Sequence, residues 1–358
     1  MIKIKPFDTL FFRDSKPFTM GEEVWADCVF PPMPSVIYGA LRSAYLANHL
    51  EYIDRDILDT KRDLSSRLLI KGIYYGLENK FSEEHRLFVP LPLDLVKLKN
   101  DKVKVSHLTR MTKLDGIIYN HKTEYVLASQ NNVESINNGI ISLESLKRYL
   151  QGAKEINYTT FDEHIVFEPK IGIARDNTKT SKEGMLYCIN MIRPNNLIYI
   201  VDYEGIDLPN RGFLKLGGQG KPSYYEYFNN DTTLNMEMFN NNEKYFKLYL
   251  LTPGLFSNGW LPKYIDEDSK IMKKGKVKAQ LMTAAIGKPK YISGFDLKNN
   301  RPKSMLKSVP EGSVFYFKLL EGCIKDVMEE FNFQSLCDMG NAYKSRGFGI
   351  TIVGRINL

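Results

Sequence analysis

The residues with the clearest chemical potential form a glycine-rich basic loop near the end of the sequence. It spans residues 340–349 and contains three glycines, among them Gly347. Lys344 and Arg346 supply positive charge, and Phe348 supplies an aromatic face. Because glycine lacks a Cβ, the backbone here can approach a bulky partner closely. The loop therefore suits a polyanion whose phosphates meet backbone N–H groups, although an ordinary tight turn would use the same glycines.

A second loop of the same kind occurs earlier in the chain. Its glycines are Gly217, Gly218 and Gly220, and Lys215 and Lys221 flank them. Neither loop has the spacing of a Walker phosphate loop or of a dinucleotide-binding turn. The repetition strengthens the polyanion interpretation, and the spacing argues against those two nucleotide-binding folds.

A predicted helix after the prolines of residues 31–34 carries a further candidate surface. Ser35 is expected to cap this helix by accepting a first-turn N–H. Helical spacing places Tyr38, Arg42 and Tyr45 on one face, which forms an aromatic and basic stripe. A neighbouring face is expected in the core and carries apolar residues: Ile37, Leu41 and Ala44. A packed tyrosine pair beside a surface arginine is the alternative for the stripe.

A long β-hairpin is predicted from two apolar, β-rich segments, residues 161–173 and 185–201. The polar stretch between them, residues 174–184, would form its tip. An ordinary hairpin whose tip contacts only water is the alternative to a basic tip that contacts an acidic partner. Three basic residues mark the tip: Arg175, Lys179 and Lys182.

The sequence offers little that resembles a catalytic or metal-binding constellation. Metal-independent RNA cleavage needs a general acid and base, usually histidine, and no histidine stands in either glycine loop. Four cysteines are scattered without a C-x-x-C pair, so neither a zinc site nor a disulfide framework is expected. We expect no cofactor and no metal. The five histidines are His49, His85, His107, His121 and His164.

The composition is that of a globular chain with a mildly basic charge balance. The 358 residues are 43% hydrophobic and 25% charged, and the formal net charge is +7. A basic balance favours nucleic acid as a partner without requiring it. No stretch approaches the roughly 20 apolar residues of a membrane span, and the N-terminus lacks a signal peptide's apolar core. A cytoplasmic protein is expected.

The order of predicted elements indicates an α+β protein with two tandem ferredoxin-like domains. The boundaries are 1–230 and 244–358, and the polar stretch 229–243 is the predicted linker. In the second half, strand, connection, hairpin, strand, helix and strand follow the βαββαβ order. The first half gives the same order with a large insertion over residues 51–150, within which a helix is predicted over 54–69.

Several local patterns together resemble one family. They are PFDTLFFRD (6–14), FPPMPSVIYGALR (30–42), IGIARD (171–176) and EGMLY (183–187), followed by the glycine loops. The chain resembles the third subunit of the type III-B (Cmr) CRISPR effector complex, a member of the RAMP superfamily. The glycine loop is common to all RAMP proteins, whereas the opening, the prolines and the hairpin are more specific.

The resemblance implies a non-catalytic subunit that holds the 5′ repeat-derived handle of the CRISPR RNA. It also implies contacts with the large polymerase/cyclase subunit and with backbone RAMP subunits, and an indirect relation to target RNA. The chain lacks the aromatic RNP motif of true RRM domains. A metal-independent endoribonuclease that processes repeat RNA is the alternative, and a nucleotide sensor would need a phosphate cradle that only the glycine loops offer. The RNA-facing positions implied are Arg13, Ser35, Tyr38, Arg42, Arg175, Lys179, Lys182, Lys215, Gly217, Gly218, Gly220, Lys221, Lys344, Arg346, Gly347 and Phe348.

Overall fold

The computed structural model describes ten parts of the chain, and all structural statements below concern them. They are residues 1–13, 25–50, 64–79, 82–99, 104–113, 123, 125–175, 177–229, 243–296 and 300–356. Within them no helix is long and apolar enough to cross a membrane. The predicted linker lies almost entirely outside the described residues.

The described residues form a mixed α+β structure in which strands predominate, as the sequence predicts. The helices are α1 (Pro34–Ala47), α2 (Leu143–Leu150), α3 (Ile324–Phe331) and α4 (Asn341–Ser345). The strands up to residue 160 are β1 (Ile2–Pro6), β2 (Trp25–Ala26), β3 (Leu69–Asn79), β4 (Ser82–Pro90), β5 (Leu95–Leu98), β6 (Val105–Leu108), β7 (Arg110–Lys113), β8 (Tyr125–Ala128), β9 (Val133–Ser135), β10 (Gly139–Ser142), β11 (Glu155–Asn157) and β12 (Thr159–Thr160).

The remaining strands complete the first half and build the second. They are β13 (Ile165–Arg175), β14 (Ser181–Pro194), β15 (Leu197–Glu204), β16 (Arg211–Lys215), β17 (Pro222–Tyr227), β18 (Tyr245–Leu250), β19 (Ile271–Lys274), β20 (Val277–Ala285), β21 (Lys290–Ile292), β22 (Phe295–Asp296), β23 (Arg301–Pro302), β24 (Leu306–Ser308), β25 (Val314–Glu321), β26 (Gln334–Ser335) and β27 (Ile350–Arg355).

The first sheet has the strand order β12-β10-β4-β3-β15-β1-β17-β16. β15 pairs antiparallel with both β1 and β3, so β1 and β3 run parallel on either side of it. Helix α1 lies between β1 and β3 in the chain, and its buried residues join the apolar side chains of β1 and β15 in one core. The expected apolar face of α1 is confirmed, because Ile37, Leu41 and Ala44 are all buried.

The prediction of one insertion over residues 51–150 is wrong in part. β3 and β4 lie inside that range, yet β3 pairs with the central strand β15 over its whole length. Residues 64–67 form a 3-10 turn, and Leu69 begins a strand, so the predicted helix does not extend over 64–69; its earlier part lies outside the described residues. What is added to the first sheet is smaller: the sheet β11-β6-β5-β9, the hairpin β7–β8 and helix α2.

The second sheet has the order β19-β20-β25-β18-β27-β26. Helix α3 connects β25 towards β27 in the chain and packs its buried Val327 and Phe331 into the core beneath the sheet. α4 follows and leads directly into the buried strand β27.

The two sheets share a hydrophobic core. Ile198 and Ile200 of β15 lie in the same cluster as Tyr249 of β18 and Ile352 of β27. α2 contributes Tyr149 to it, and the hydroxyl of Tyr249 donates to the carbonyl oxygen of Pro90 at 2.6 Å. The halves of the chain are therefore packed against each other through apolar side chains.

Candidate nucleic-acid interface

Two of the surfaces predicted from the sequence meet where the second half of the chain packs on α1. The guanidinium carbon of Arg346 lies 6.0 Å from the ring centroid of Tyr38 on α1. It also lies 5.5 Å from the ring centroid of Tyr343 on α4. Both distances fall within the range of a cation–π contact. We call the group Tyr38, Arg42, Tyr343, Lys344 and Arg346 the junction surface.

Arg42 lies one helical turn from Tyr38, which places both on the same side of α1. Its Nε donates to Ser65 Oγ at 2.8 Å, so the side chain is anchored against the 3-10 turn that precedes β3. The third predicted member of this stripe does not belong to it, because Tyr45 is buried and its ring stacks on His49 at 4.1 Å between centroids. The stripe is thus an anchored Tyr–Arg pair.

Ser35 does not cap α1. The helix begins at Pro34, Met33 holds the N-cap position, and no side chain caps the first turn. Proline is well suited to that position because its missing N–H has no partner in a first turn. Arg13, the last described residue before a gap, is exposed and forms an isolated bridge with Cys28.

The C-terminal loop approaches the chain's own first sheet. Gly347 is buried with φ +86°, and a Cβ there would come within 2.8 Å of the Ile70 side chain. Phe348 is fully buried and packs with Leu255, Ile292 and Cys337. The predicted RNA contacts of Gly347 and Phe348 are therefore wrong, since an enclosed ring has no face for a base. The glycine serves close packing between the two halves.

Most backbone N–H groups of this loop are also occupied. The N–H of Gly347 donates to Lys344 O, that of Phe348 to Tyr343 O, and that of Gly349 to Pro253 O. The cationic side chains of this loop, those of Lys344 and Arg346, are half-buried. At residues 347–349 the described loop therefore offers no cradle of free N–H groups.

The first glycine loop is packed in a similar way. The N–H of Gly218 donates to the carbonyl oxygen of Phe11 at 2.7 Å. At Gly217, with φ +76°, a Cβ would come within 2.6 Å of that same oxygen. Gly220 and Lys215 are exposed. α1 contacts β16, the strand that leads into this loop, so the helix lies between the two glycine loops.

Lys221 is held by an ion pair. Its Nζ lies 2.6 Å from Asp8 Oδ2, and the lysine side chain is 14% exposed. The hydrogen bond from Lys221, with Arg193 also nearby, lowers the pKa of the Asp8 carboxyl to about 2. Arg193 in turn donates to Glu168. Much of the positive charge beside the first loop is therefore neutralised by carboxylates on the chain itself.

The predicted hairpin is present with a shorter tip. The second predicted segment, residues 185–201, is divided at residues 195–196 between β14 and β15, and only β14 belongs to the hairpin. β13 and β14 pair from Ile165↔Pro194 to Arg175↔Ser181. Arg175 and Lys179 are exposed at its end, whereas nothing is described of the Lys182 side chain. One face carries exposed apolar residues, which we call the apolar hairpin face: Trp25, Phe167, Ile171, Ile173 and Leu186.

Sequence reasoning missed an exposed aromatic row at the edge of the first sheet. Phe213 of β16 is 69% exposed and Phe7 is 57% exposed. Their ring centroids are 5.9 Å apart, and Tyr224 of β17 lies 5.9 Å on the other side of Phe213. Lys5 is paired with Tyr224 across the strands, so it shares this face. The available signal was the alternation of residues 212–215, in which every second side chain points outwards.

The described histidines do not assemble a site. His49 contacts the Tyr45 carbonyl, His107 lies 3.5 Å from Glu155, and His164 lies near Thr159 and Asn196. No cluster of three or more histidine, cysteine, aspartate or glutamate residues that could hold a metal ion occurs in the described ranges.

Comparison with known proteins defines the class to which this arrangement belongs. A chain in the cryo-EM structure of the Type III-B Cmr-beta bound to cognate target RNA and AMPPnP, state 1, superposes with a TM-score of 0.52 at 19% identity, covering 97% of this chain and 94% of that chain. A chain of the Type III-B Cmr-beta bound to cognate target RNA gives 0.50 at 20% identity, covering 92% and 88%. A comparison with curated proteins found no match.

The family follows from the sequence itself. The model of the CRISPR-associated protein family Cas_Cmr3 matches residues 2–356. The chain therefore belongs to this family, and the resemblance noted from its motifs is confirmed. It is a subunit of a Cmr effector complex.

Proposed function

We propose that this chain is a non-catalytic scaffold subunit that holds the 5′ repeat-derived handle of the CRISPR RNA at the junction surface. The observation that supports it most directly is the position of Arg346 between the rings of Tyr38 and Tyr343. Docking of the large polymerase/cyclase subunit and of backbone subunits belongs to the same proposal, as does a location in the cytoplasm. Target RNA would be reached only indirectly.

The chemistry of the junction surface fits single-stranded RNA. Aromatic rings stack on bases and contribute about 1–3 kcal/mol per base, while basic side chains follow the phosphates. Tyr38 and Tyr343 provide the rings, and Lys344 and Arg346 provide the charge. Because Arg42 is anchored on Ser65, part of this surface is ordered before RNA binds, which reduces the entropy lost on binding.

The sheet topology supports a pair of ferredoxin-like domains. β17-β1-β15-β3 in the first sheet and β27-β18-β25-β20 in the second follow one order when each set is numbered along the chain, 4-1-3-2. That order is the one we associate with the βαββαβ unit. Each domain would retain one of the two helices, α1 in the first and α3 in the second. The domain boundaries near 230 and 244 stay a prediction.

The apolar hairpin face is the surface we assign to a neighbouring protein subunit. Ile173 pairs directly with Leu186, and Ile171 pairs with Cys188, which in turn pairs with Trp25. These residues therefore share one side of the three-stranded sheet. Ile171 is 69% exposed and Trp25 is 54% exposed, and contiguous exposed apolar residues of this kind mark protein interfaces.

Photo-crosslinking in the assembled complex tests the proposal. CRISPR RNA with a photoreactive nucleotide at single handle positions should crosslink to peptides containing Tyr38 or Tyr343. The same nucleotide placed in the distal guide region serves as the control and should give no crosslink to this subunit. Crosslinks confined to other subunits would contradict the proposal.

Removal of one carboxylate should strengthen RNA binding. In Asp8→Asn, Lys221 loses its ion-pair partner and becomes available to a phosphate. One added phosphate contact contributes about −0.7 to the log–log salt slope, which corresponds to about fivefold tighter binding at 0.1 M salt. Fluorescence anisotropy with labelled repeat RNA measures this. Glu321→Gln, which frees Lys278 on the second sheet, is the matched control and should leave affinity unchanged.

The apolar hairpin face should be needed for assembly and dispensable for folding. The double substitution Ile171→Glu and Leu186→Glu places two charges on exposed positions, so thermal unfolding of the isolated chain should change little. Co-purification of the other subunits should drop sharply, because burial of unpaired charge opposes docking. The matched control substitutes Val166, which is 55% exposed on the other side of the hairpin, with glutamate. Equal assembly of both variants would assign the partner surface elsewhere.

A further inference from the structure

A cavity of about 410 Å³ lies between the small β-layer added to the first sheet and the second sheet. β7 and the residues preceding it form one wall, and β18, β25 and β27 form the other. Its apolar lining comes from Leu108, Met111 and Ile356. Its basic lining comes from Arg110, Lys154, Lys247 and Arg355. The cavity is distinct from the junction surface, with which it shares no residue.

Lys247 is the most informative residue of this cavity. It is 1% exposed and lies in the middle of β18, where Phe246 and Leu248 on either side of it belong to the core beneath the sheet. Its Nζ lies 3.3 Å from the ring centroid of Tyr149. Among the described residues it has no hydrogen-bond acceptor and no ion-pair partner. A buried ammonium group is costly. The Tyr149 ring and the charge of Asp94 offset part of that cost, and the ammonium group lines the cavity, where it can meet a ligand.

Residues on the two strands that pair with β18 leave room for the Lys247 side chain and line the cavity beside it. Gly354 of β27 lies opposite it, and a Cβ at Gly354 would come within 3.1 Å of the Lys247 Cε. The lysine stem therefore lies over a strand that lacks a side chain. Tyr316, opposite Lys247 on β25, lines the cavity, and its hydroxyl donates to Asp94 Oδ2 at 2.5 Å.

Asp94 is the acidic residue whose charge acts on Lys247. Its Oδ2 is engaged by tyrosine hydroxyls, and its Oδ1 is buried without a hydrogen-bond partner among the described residues. Its Oδ2 accepts from Tyr149 at 2.6 Å as well as from Tyr316, and the residue is 1% exposed. It attracts Lys247 without forming a direct ion pair. Burial outweighs this attraction and lowers the pKa of Lys247 to about 8. Arg355 is paired with Glu243, which leaves Arg110, Lys154 and Lys247 as cations without an ion pair in the described chain.

We propose that this cavity binds a small phosphate monoester with an aromatic or apolar body, of the size of a nucleoside monophosphate. The charge of three cations is matched better by a ligand with a phosphate dianion than by a ligand with a single carboxylate. The apolar wall of the cavity matches the aromatic or apolar body of such a ligand. The volume lies within the range of small-molecule sites. The site is separate from the RNA contacts proposed above and does not depend on them.

Isothermal titration calorimetry of the full chain with adenosine 5′-monophosphate tests the contacts to the phosphate and the contacts to the body of the ligand. We expect saturable binding in low salt, with inorganic phosphate and adenosine each at least about tenfold weaker, because each lacks one set of contacts. Equal affinity for inorganic phosphate would reduce the site to a cationic patch and would overturn the proposal. So would the absence of saturable binding at millimolar adenosine monophosphate.

Lys247→Met removes the buried charge and keeps the length of the side chain. We expect at least a tenfold loss of affinity, the usual effect of losing a hydrogen bond to a charged group. Lys273→Met, an exposed lysine on the distant edge strand β19, removes the same charge and should bind as the parent chain does. Arg110→Gln, at an exposed position on β7, gives a second reading should the Lys247 variant fail to fold. Unchanged affinity in both cavity variants would overturn the assignment.

The pH profile identifies the group responsible. Because the pKa of Lys247 is about 8 in the folded chain, its charge is lost as pH rises through that value, and affinity should fall between pH 7 and pH 9. The Met variant retains Tyr149, Tyr316, Asp94, Arg110, Lys154 and Arg355, so the difference between the two profiles isolates Lys247. Parallel profiles would show that Lys247 does not contact the ligand. Loss of adenosine monophosphate binding on adding handle RNA would assign the cavity to the RNA path instead.

Discussion

Phe348→Ala is expected to lower the free energy of unfolding by about 3–5 kcal/mol, the usual cost of truncating a buried phenylalanine. The ring is 0% exposed and lies among Leu255, Ile292 and Cys337. Tyr343 packs edge-on against it, with ring centroids 5.9 Å apart. Deletion leaves a cavity that is enclosed by side chains from several segments of the chain, which limits relaxation. Urea denaturation of the isolated chain measures the change.

Phe213→Ala is the matched control for that experiment. The substitution is the same, but Phe213 is 69% exposed at a sheet edge, so stability should change by less than about 0.5 kcal/mol. The comparison separates a packing role from a binding role for the two aromatic residues. A stable Phe348 variant with weakened RNA binding would contradict the buried position of its ring.

The double substitution Lys344→Ala and Arg346→Ala is expected to weaken handle binding by up to about 25-fold at 0.1 M salt. Each phosphate contact contributes about −0.7 to the log–log salt slope for a single strand. Loss of two contacts should therefore make the slope shallower by about 1.4. Anisotropy titrations at several salt concentrations give both quantities. The guanidinium of Arg346 also contacts the rings of Tyr38 and Tyr343. Its removal therefore also weakens binding by leaving these rings less ordered for stacking on bases.

A charge-matched control uses lysines on the far edge of the second sheet. Lys273 and Lys276 are both exposed, and their replacement by alanine removes the same net charge. Affinity and salt slope should stay close to those of the parent chain if the junction surface carries the contacts. An equal effect of both double variants would mean that the RNA responds only to overall charge.

The sequence was most informative where local patterns decide the structure. The spacing of Ile37, Leu41 and Ala44 predicted the buried face of α1, and all three are buried. The apolar runs 245–251, 314–319 and 350–356 predict three strands, and the observed β18, β25 and β27 agree with these ranges within about two residues at each end. Turn and strand propensities act over a few residues, so one sequence contains the information needed for them.

Tertiary contacts account for the errors. β3 contains Lys71, Gly72 and Gly76 among its apolar residues, so it does not read as a central strand, and only its pairing with β15 makes it one. The glycines of the C-terminal loop signalled a close approach correctly, but the partner is Ile70 of the same chain. The glycines in the sequence show that a close approach is possible, but only the folded structure shows which surface approaches them.

The burial of Lys247 also could not be predicted from the local sequence. In residues 245–250 a lysine between apolar residues suggests the solvent face of an edge strand, because alternation is the signal for one exposed side. In the structure both sides of β18 are covered, by α3 and its neighbours beneath and by α2 above. The element above β18, α2, comes from the first half of the chain, and no residue near position 247 in the sequence indicates that it packs there.

The shared core between the two sheets has a consequence for synthesis. Translation of the first half completes β15, whose Ile198 and Ile200 must wait for β18 and β27 to emerge before they are covered. Until β27 has been synthesised, the nascent chain presents an apolar surface of the kind that chaperones bind. A chain that ended before β27 would therefore keep this apolar surface exposed and would tend to aggregate.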